Sequence, residues 1–540
     1  MLQRTTNASP TAPRSTRAKA LVLIAVILAC ISLPLSLSAG PAAQTFISRD
    51  LAGGTVALSW ITNAFMLACG STLMVAGALA DHYGRKKIFF VGMLVMTIVS
   101  LVMPLAPSVL WLDFLRVPHG LAAACAYAGG VSMLAQEFEG PARVRIFSLI
   151  GIAFGAGLAF GPTLAGILIA FYNWHAVFLS SAVISFIALI LCIFFMTDSK
   201  NASVHGLDWA GAGTFTLMLT LFTFAVVEAP VHGWTGPLVL GLFAASALVL
   251  VLFIVIETKV LNPMLDLSLF RYPRFVGAQL LPLATAYSYI ALLVILPLRF
   301  IGIEGLNALD AGILMLYFSA PLLFIPFLSA MLTRFIPVGI LSGLGMLISV
   351  AGLFLLTQVP LGDHGILMRV DLLLIGLGAA IPWGLMDNLA VSVVPSEKAG
   401  MAVGIFGALR VSIDSTAMAI VGSLLAFFAR QTLTDIRPDQ NADSLASGAA
   451  QLAAGTLAKA GSILSGFDHA HLLLAYDLAF KKLLWVAIIL TLIAAVLVFA
   501  LLGRVRSDHG EVTGGKENEA ENEARRGVSS PLAEEAPVLD

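Results

Sequence analysis

The sequence predicts an all-α polytopic membrane protein with about fourteen transmembrane helices, on three observations. Charged residues are only 11% of the 540, hydrophobic residues are 59%, and the mean hydropathy is +0.96. Soluble chains carry about 25% charged residues, so water is not the main solvent of this one. Apolar runs of roughly 20 residues, long enough to cross a bilayer, recur along most of the chain. Their Leu, Ile, Val, Phe and Ala content, with frequent glycine and no alternation at every second residue, favours helices over barrel strands.

In chain order the runs lie near 20–45, 57–80, 87–106, 110–136, 145–170 and 175–196. A second series follows near 208–228, 236–256, 275–299, 309–331, 338–358, 370–393, 400–429 and 482–503. Residues 1–19 read as a short basic disordered lead, and 257–274, with Pro263 and Pro273, as a loop. Residues 430–481 are Ala-rich and amphipathic around 443–466, which predicts a partly helical outer cap. From Ser507 the chain is polar and acidic, as solvated disorder is.

Lysine and arginine in the short loops set orientation. With the N-terminus inside, the inner side gathers Arg17, Lys19, Arg85, Lys86, Lys87, Arg143, Arg145, Arg334 and Arg504, among others. The short outer loops hold only Arg49, Arg299 and Arg369, so both termini are expected in the cytoplasm. An alternative remains: basic residues, the apolar stretch from Ala20 and SAGPAA at 38–43 also resemble a cleavable signal peptide. Cys30, Cys69, Cys125 and Cys192 sit in apolar spans without a CxxC pair, as buried small hydrophobes do. The formal net charge of −1 argues against nucleic acid as a partner. No phosphate-binding G-x-x-x-x-G-K-[ST] loop is present, which excludes an ATP-driven pump within this chain. Asp468, His469 and His471 could ligate a metal or line a solvated helix face, and the second reading is preferred, so no metal or other cofactor is expected.

The stretch GALADHYGRKK at 77–87 crowds Asp81, His82, Arg85, Lys86 and Lys87 between two apolar runs. Gly77 and Gly84 let two helix ends approach, Asp81 can cap free amides, and the cations anchor the turn. Residues 329–347, SAMLTRFIPVGILSGLGML, echo it weakly, as internal repeats of alternating-access carriers do. In Gly157-Leu-Ala-Phe-Gly161-Pro162-Thr-Leu-Ala-Gly166, glycines four apart allow close helix contact and Pro162 bends the helix. Taken alone, these are a positive-inside turn and a small-residue seam.

The spacing adds a resemblance. G-x-L-A-D-x-x-G-R-K-K resembles the loop 2–3 signature of the major facilitator superfamily, with Gly77, Asp81, Gly84 and Arg85 in register. The resemblance implies a cytoplasmic latch there, with Glu137 as its acidic partner. The second motif resembles the helix-five signature of antiporter members, with Ala165 in place of one glycine. Asn173-Trp174, NPMLDLSLFRYPRF at 262–275 and PSEKAGMAVGIFGALR at 395–410 resemble the fourteen-helix drug:proton antiporter branch. The implied architecture is two six-helix bundles, 20–196 and 275–506, the latter holding the insert 430–481. Two extra central helices and a linker occupy 197–274, between the lead 1–19 and the tail 507–540.

Arg116-Val-Pro-His-Gly120 resembles the family's helix-four element, whose arginine is assigned to proton coupling, with His119 in place of the usual glutamine. A structural pair with Asp113, one turn away, competes with that role. Helix one of the branch usually carries an aspartate where the register here places Ser36, and the usual Trp-Arg of helix six is Trp174-His175. The intramembrane charges Asp387, Arg410 and Asp414 stand as replacements. Arg410 is expected to pair with Asp414, Asp387 or both, either exchanging a proton or as a static cluster.

Together these imply a non-enzymatic, proton-coupled, multidrug-type efflux antiporter of amphipathic or hydrophobic small molecules. It would work by alternating access as a monomer in the inner membrane. A dedicated exporter of one metabolite, or a non-transporting receptor on the same scaffold, are the alternatives.

Overall fold

A computed structural model describes residues 16–51, 53–138, 140–199, 208–260, 263, 267–386, 389 and 399–503. The acidic tail and most of the basic lead therefore lie outside the described residues, as do Asp387 and Glu397.

Among the described residues the chain is helical throughout and has no strand. The first six spans are α1 (Thr16–Asp50), α2 (Thr55–Tyr83), α3 (Arg85–Val102), α4 (Val109–Glu137), α5 (Gly140–Phe171) and α6 (His175–Phe195). Two more follow, α7 (Trp209–His232) and α8 (Pro237–Lys259). Then come α9 (Pro273–Ile303), α10 (Ala308–Leu332), α11 (Val338–Leu356), α12 (Ile366–Trp383) and α13 (Ala399–Ile436). Two short helices, α14 (Ala442–Ala453) and α15 (Leu457–Ile463), precede the last span, α16 (His469–Leu502). Fourteen of these are long and apolar enough to cross a membrane. The helical backbone answers its own N–H and C=O groups, which hydrocarbon cannot do.

The inserted segment is shorter than the sequence predicts. Helix α13 runs on to Ile436, and α16 begins at His469 rather than near 482. Hydropathy hides that first stretch because it carries Asp477, Lys481 and Lys482, two of which form an i,i+4 pair (Lys481–Asp477, 2.7 Å). Asp468 caps α16: its carboxylate accepts the His471 amide at 2.8 Å, and that bond holds its pKa below the usual carboxylate value. It also contacts the His471 ring at 2.7 Å, so this group serves the helix start.

Helices α1 to α6 pack mainly on one another, through α2–α4, α1–α5, α3–α4, α1–α6 and α3–α6. Helices α9 and α11 to α13 pack likewise with α16. The most extensive contacts between the two sets among the described residues are α5 on α10, α2 on α13, and α1 on α9. Helix α7 wedges beside α2 and α13, where Ser423 Oγ donates to the Val226 carbonyl at 2.6 Å, while α8 leans on α7 through Ser246 Oγ and the Met218 carbonyl (3.0 Å). The α2–α3 and α10–α11 turns mark one end of the bundle. The insert α14–α15 marks the other, called here the insert end.

Close backbone approach holds α2, α3 and α4 together. A Cβ on Gly120 of α4 would strike the Phe65 carbonyl and come within 3.0 Å of Ala68 Cβ and 3.1 Å of Cys69 N. On Gly92 of α3 it would lie 2.6 Å from Ala126 N. Gly120→Val is therefore expected to separate α2 from α4 and cost roughly 1–3 kcal/mol, the usual penalty of overpacking. Thermal unfolding of the purified chain in detergent checks this, as a clear drop in Tm against the native protein.

Candidate functional site

The α2–α3 turn is built on Gly84, whose φ of 120° suits only glycine. The residues after α6 close over it: Arg85 N donates to the Ser199 carbonyl (3.1 Å), Lys86 Nζ to the Met196 carbonyl (2.6 Å), and Lys87 lies 3.8 Å from Asp198. The Asp198 carboxylate sits where a Gly84 side chain would be. Gly77 faces open space and Arg85 is buried. Glu137 approaches Lys19 of α1 at 3.8 Å. The Asp81 side chain lies outside the described residues. Asp198 was not anticipated from sequence; the signal for it is a lone acid placed directly after an apolar span.

The helix-five motif packs on both sides. Gly157 and Gly161 abut α1, where Ser38 Oγ donates to the Gly157 carbonyl at 3.2 Å. Gly166 abuts Ala308 of α10, and Thr163 Oγ1 donates to the Gly312 carbonyl at 2.8 Å. Pro162 stands between these contacts, inside α5.

Arg116 is completely buried. Its Nε donates to the Ile61 carbonyl (2.7 Å), its Nη1 to Ser36 Oγ (2.9 Å), and its Nη2 to the Ser36 carbonyl (3.3 Å). Nη1 also lies 3.2 Å from His119 Nδ1, whose other ring nitrogen meets Ser100 Oγ at 3.2 Å, and the guanidinium stacks 4.2 Å over Phe65. The structural pair with Asp113 is not formed. One turn of helix separates the two, the Arg116 fork points at α1 and α2, and Asp113 Oδ1 has no hydrogen-bond partner among the described residues. Ser36 thus touches Arg116 at the position where the resembling branch keeps an acid.

A second centre joins both helix sets. Tyr289 of α9 stacks on Phe318 of α10 (4.3 Å) and donates its hydroxyl to Ser319 at 2.9 Å. Trp383 of α12 meets Tyr289 at 6.2 Å and Phe154 of α5 at 6.3 Å, and Phe154 meets Tyr127 of α4 at 6.3 Å. The Arg410 guanidinium of α13 lies over Trp383 (4.2 Å) and Phe154 (5.7 Å), a cation–π geometry. Asp414 is buried one turn further along α13.

Sequence reasoning placed Arg299 in an outer loop; it is instead buried at the insert end of α9. It bonds Glu304 Oε1 at 2.6 Å and stacks 4.6 Å from Phe480, while His364 reaches Glu304 Oε2 at 2.6 Å. The local backbone is π-helical over Leu298–Ile303, as is Ala286–Ile290. Sequence reasoning also missed Asp371, fully buried in α12 with neither carboxylate oxygen hydrogen-bonded among the described residues.

This arrangement, membrane-crossing helices in two sets that meet along three main seams around an aromatic centre, is that of a solute carrier. The chain belongs to the major facilitator superfamily, whose family model matches residues 22–418. It is 29% identical over 393 residues to the multidrug resistance protein Stp of Mycobacterium tuberculosis, covering 72% of each chain. It is 26% identical over 426 residues to the tetracenomycin C resistance and export protein of Streptomyces glaucescens, covering 78% of each. Among solved structures, a bacterial homologue of the human lysosomal transporter Spinster superposes with a TM-score of 0.63 at 14% identity, over 90% of this chain and 98% of that one. That likeness concerns the fold.

Ser36 and the other hydrogen-bond partners of Arg116 are neutral, and the acid that acts on its charge, Asp113, stands one helical turn away without touching it. Ser36→Val would leave a guanidinium N–H without an acceptor and is expected to destabilise by about 1–3 kcal/mol. Ser36→Asp would supply a counter-charge in direct contact and is expected to raise Tm. Thermal unfolding of the two variants side by side checks both signs.

Proposed function

We propose that this chain is a proton-coupled exporter of amphipathic or hydrophobic small molecules, working by alternating access in a cell's inner membrane. Both termini and the α2–α3 turn face the cytoplasm in this reading, and the insert end faces out. Residues 20–196 and 275–506 act as the two halves, with α7 and α8 beside their junction.

The observation that carries the reading is the aromatic centre: Tyr127 and Phe154 from one half meet Trp383, Tyr289 and Phe318 from the other beneath Arg410. Ring faces accept varied apolar cargo without demanding one hydrogen-bond pattern. The names of the relatives, resistance and export proteins, support outward transport of such molecules. Proton coupling rests on the ionisable groups held within the helices, which are costly there and by default functional. Asp387, Asp414 and Arg410 are the proposed coupling groups, with Arg116 as the fixed charge in the first half. Asp81, Arg85 and Glu137 are the proposed latch at the cytoplasmic end. A dedicated exporter of one metabolite is the second reading, supported by the single compound in the name of the Streptomyces relative.

Everted vesicles carrying the protein are expected to accumulate dyes, biocides or fatty acids under an imposed pH gradient and to release them when it is dissipated. Accumulation indifferent to the gradient for every compound would refute the reading, and uptake of one compound alone would favour the dedicated exporter. In the same assay Asp81→Asn is expected to lose most transport at an unchanged membrane level. Of Asp387→Asn and Asp414→Asn, at least one should lose its dependence on the gradient; full pH-dependent efflux in both would remove these acids from the mechanism.

A further inference from the structure

At the insert end, a narrow open crevice with about 80 Å³ of accessible volume runs between α1 and α2 on one side and α9 and α13 on the other. Its two walls differ in chemistry. The first carries Gln44, Thr62 and Asn63, all at least nine-tenths buried. Among the described residues Thr62 Oγ1 is buried with no hydrogen-bond partner, and Gln44 and Asn63 line the same crevice beside it. The second wall is mainly apolar, with Val294 and Ile295 of α9 and Met418 of α13, and its Ser423 hydroxyl is committed to the Val226 carbonyl. Ala450 and Ala453 of α14 roof it, and the roof is tied down where Lys459 Nζ donates to the Ser48 carbonyl at 2.8 Å.

Buried polar groups in proteins are nearly always hydrogen-bonded. An orphaned Thr62 hydroxyl with the Gln44 and Asn63 amides beside it in one crevice therefore marks a place where a bound molecule can supply the bonds. The facing wall calls for an apolar body on the same molecule. The charge of its head follows from what stands behind the polar wall. A Cβ on Gly40 would lie 3.8 Å from Arg116 Nη2 and 3.9 Å from Thr62 Oγ1, so only a glycine separates the crevice wall from a buried guanidinium. No carboxylate lines the crevice, and the bonds Arg116 makes go to neutral groups. A cationic head would be repelled there in a medium of low dielectric.

We propose that this crevice is a binding subsite for transported amphiphiles whose oxygen-rich head is uncharged or anionic. The assignment of a transported cargo rests on the efflux reading; the binding preference itself does not. Gln44, Thr62 and Asn63 select the head, and Arg116 sets the sign of the charge from behind Gly40.

The probes are fluorescein and rhodamine 6G, xanthene dyes of opposite charge, read by fluorescence polarisation with the purified full-length chain in detergent. Fluorescein is expected to bind several-fold more tightly. Asn63→Leu should weaken fluorescein about tenfold, the equivalent of one lost hydrogen bond, and change rhodamine 6G little. Asn63→Asp should reverse the preference. Gln44→Leu, on a different helix, carries the same test should Asn63→Leu not fold. Rhodamine 6G bound as tightly as fluorescein, no fluorescein binding, or unchanged fluorescein affinity in the folded leucine variants would each overturn the assignment. Transport is measured apart, in proteoliposomes under a pH gradient. Fluorescein bound in the expected pattern with neither dye moved would overturn the crevice as a site for transported cargo while leaving its binding preference in place.

Discussion

A hydrocarbon interior offers a peptide group no hydrogen bond, and this one constraint governs the rest of the molecule. It makes every span a helix. It also decides how each intramembrane charge is kept. Arg299 is buried because Glu304 and the Phe480 ring receive it, and Glu304 in turn because His364 takes its second oxygen. Arg116 is buried against a main-chain carbonyl, a serine and a histidine instead. The first solution holds the charge against an acid and the second against neutral groups.

Helix association in a membrane has little hydrophobic drive and depends on close packing and hydrogen bonds between helices. That explains where the glycines fall. On α5 they come in register with α1 on one face and α10 on the other, so a single helix serves both sets. Elsewhere Gly70 of α2 meets the backbone at Ser412 of α13, and Gly302 of α9 meets Gly455 beside the insert. Contacts of this kind are specific in shape but weak in polar content, which lets one surface part from another without stranding many donors.

Much of the fold was legible in the sequence, because span length and hydropathy are direct readouts of the solvent. The fourteen membrane-length helices emerge near the positions expected. The errors share a cause: charge read as a sign of water. The first turns of α16 were taken for loop because Asp477, Lys481 and Lys482 lower the local hydropathy, and Arg299 was put outside for the same reason. A pair such as Arg299–Glu304 cancels in space, which a count along the chain does not register. Ser36 was identified by register as standing where an acid is usual, yet its contact with Arg116 crosses 80 residues and needs the fold to be seen. Gln44 and Asn63 carry no motif at all. Their significance lies in sharing a crevice with the orphaned Thr62 hydroxyl, a property that exists only in three dimensions.

The polar ties across the insert end bear on how the proposed exchange could run at low energetic cost. Thr163 to Gly312 joins α5 to α10, and Lys459 to Ser48 joins the insert to α1. The first is a neutral bond of about 1 kcal/mol net, and the second, from an ammonium, about 1.5–3 kcal/mol. The buried Arg299–Glu304 pair, by contrast, lies wholly within α9 and the turn after it, so parting the two helix sets there leaves it intact. One elementary charge crossing 100 mV supplies roughly 2.3 kcal/mol, of the same order as those two bonds. The buried ion pair thus stays inside one set, while single hydrogen bonds and the ring contacts of Phe154 with Trp383 and Arg410 span the seam. In the proposed exchange that division would let a single proton's movement bias which side is open, and the crevice between Asn63 and Met418 lies on the surface where the two sets meet.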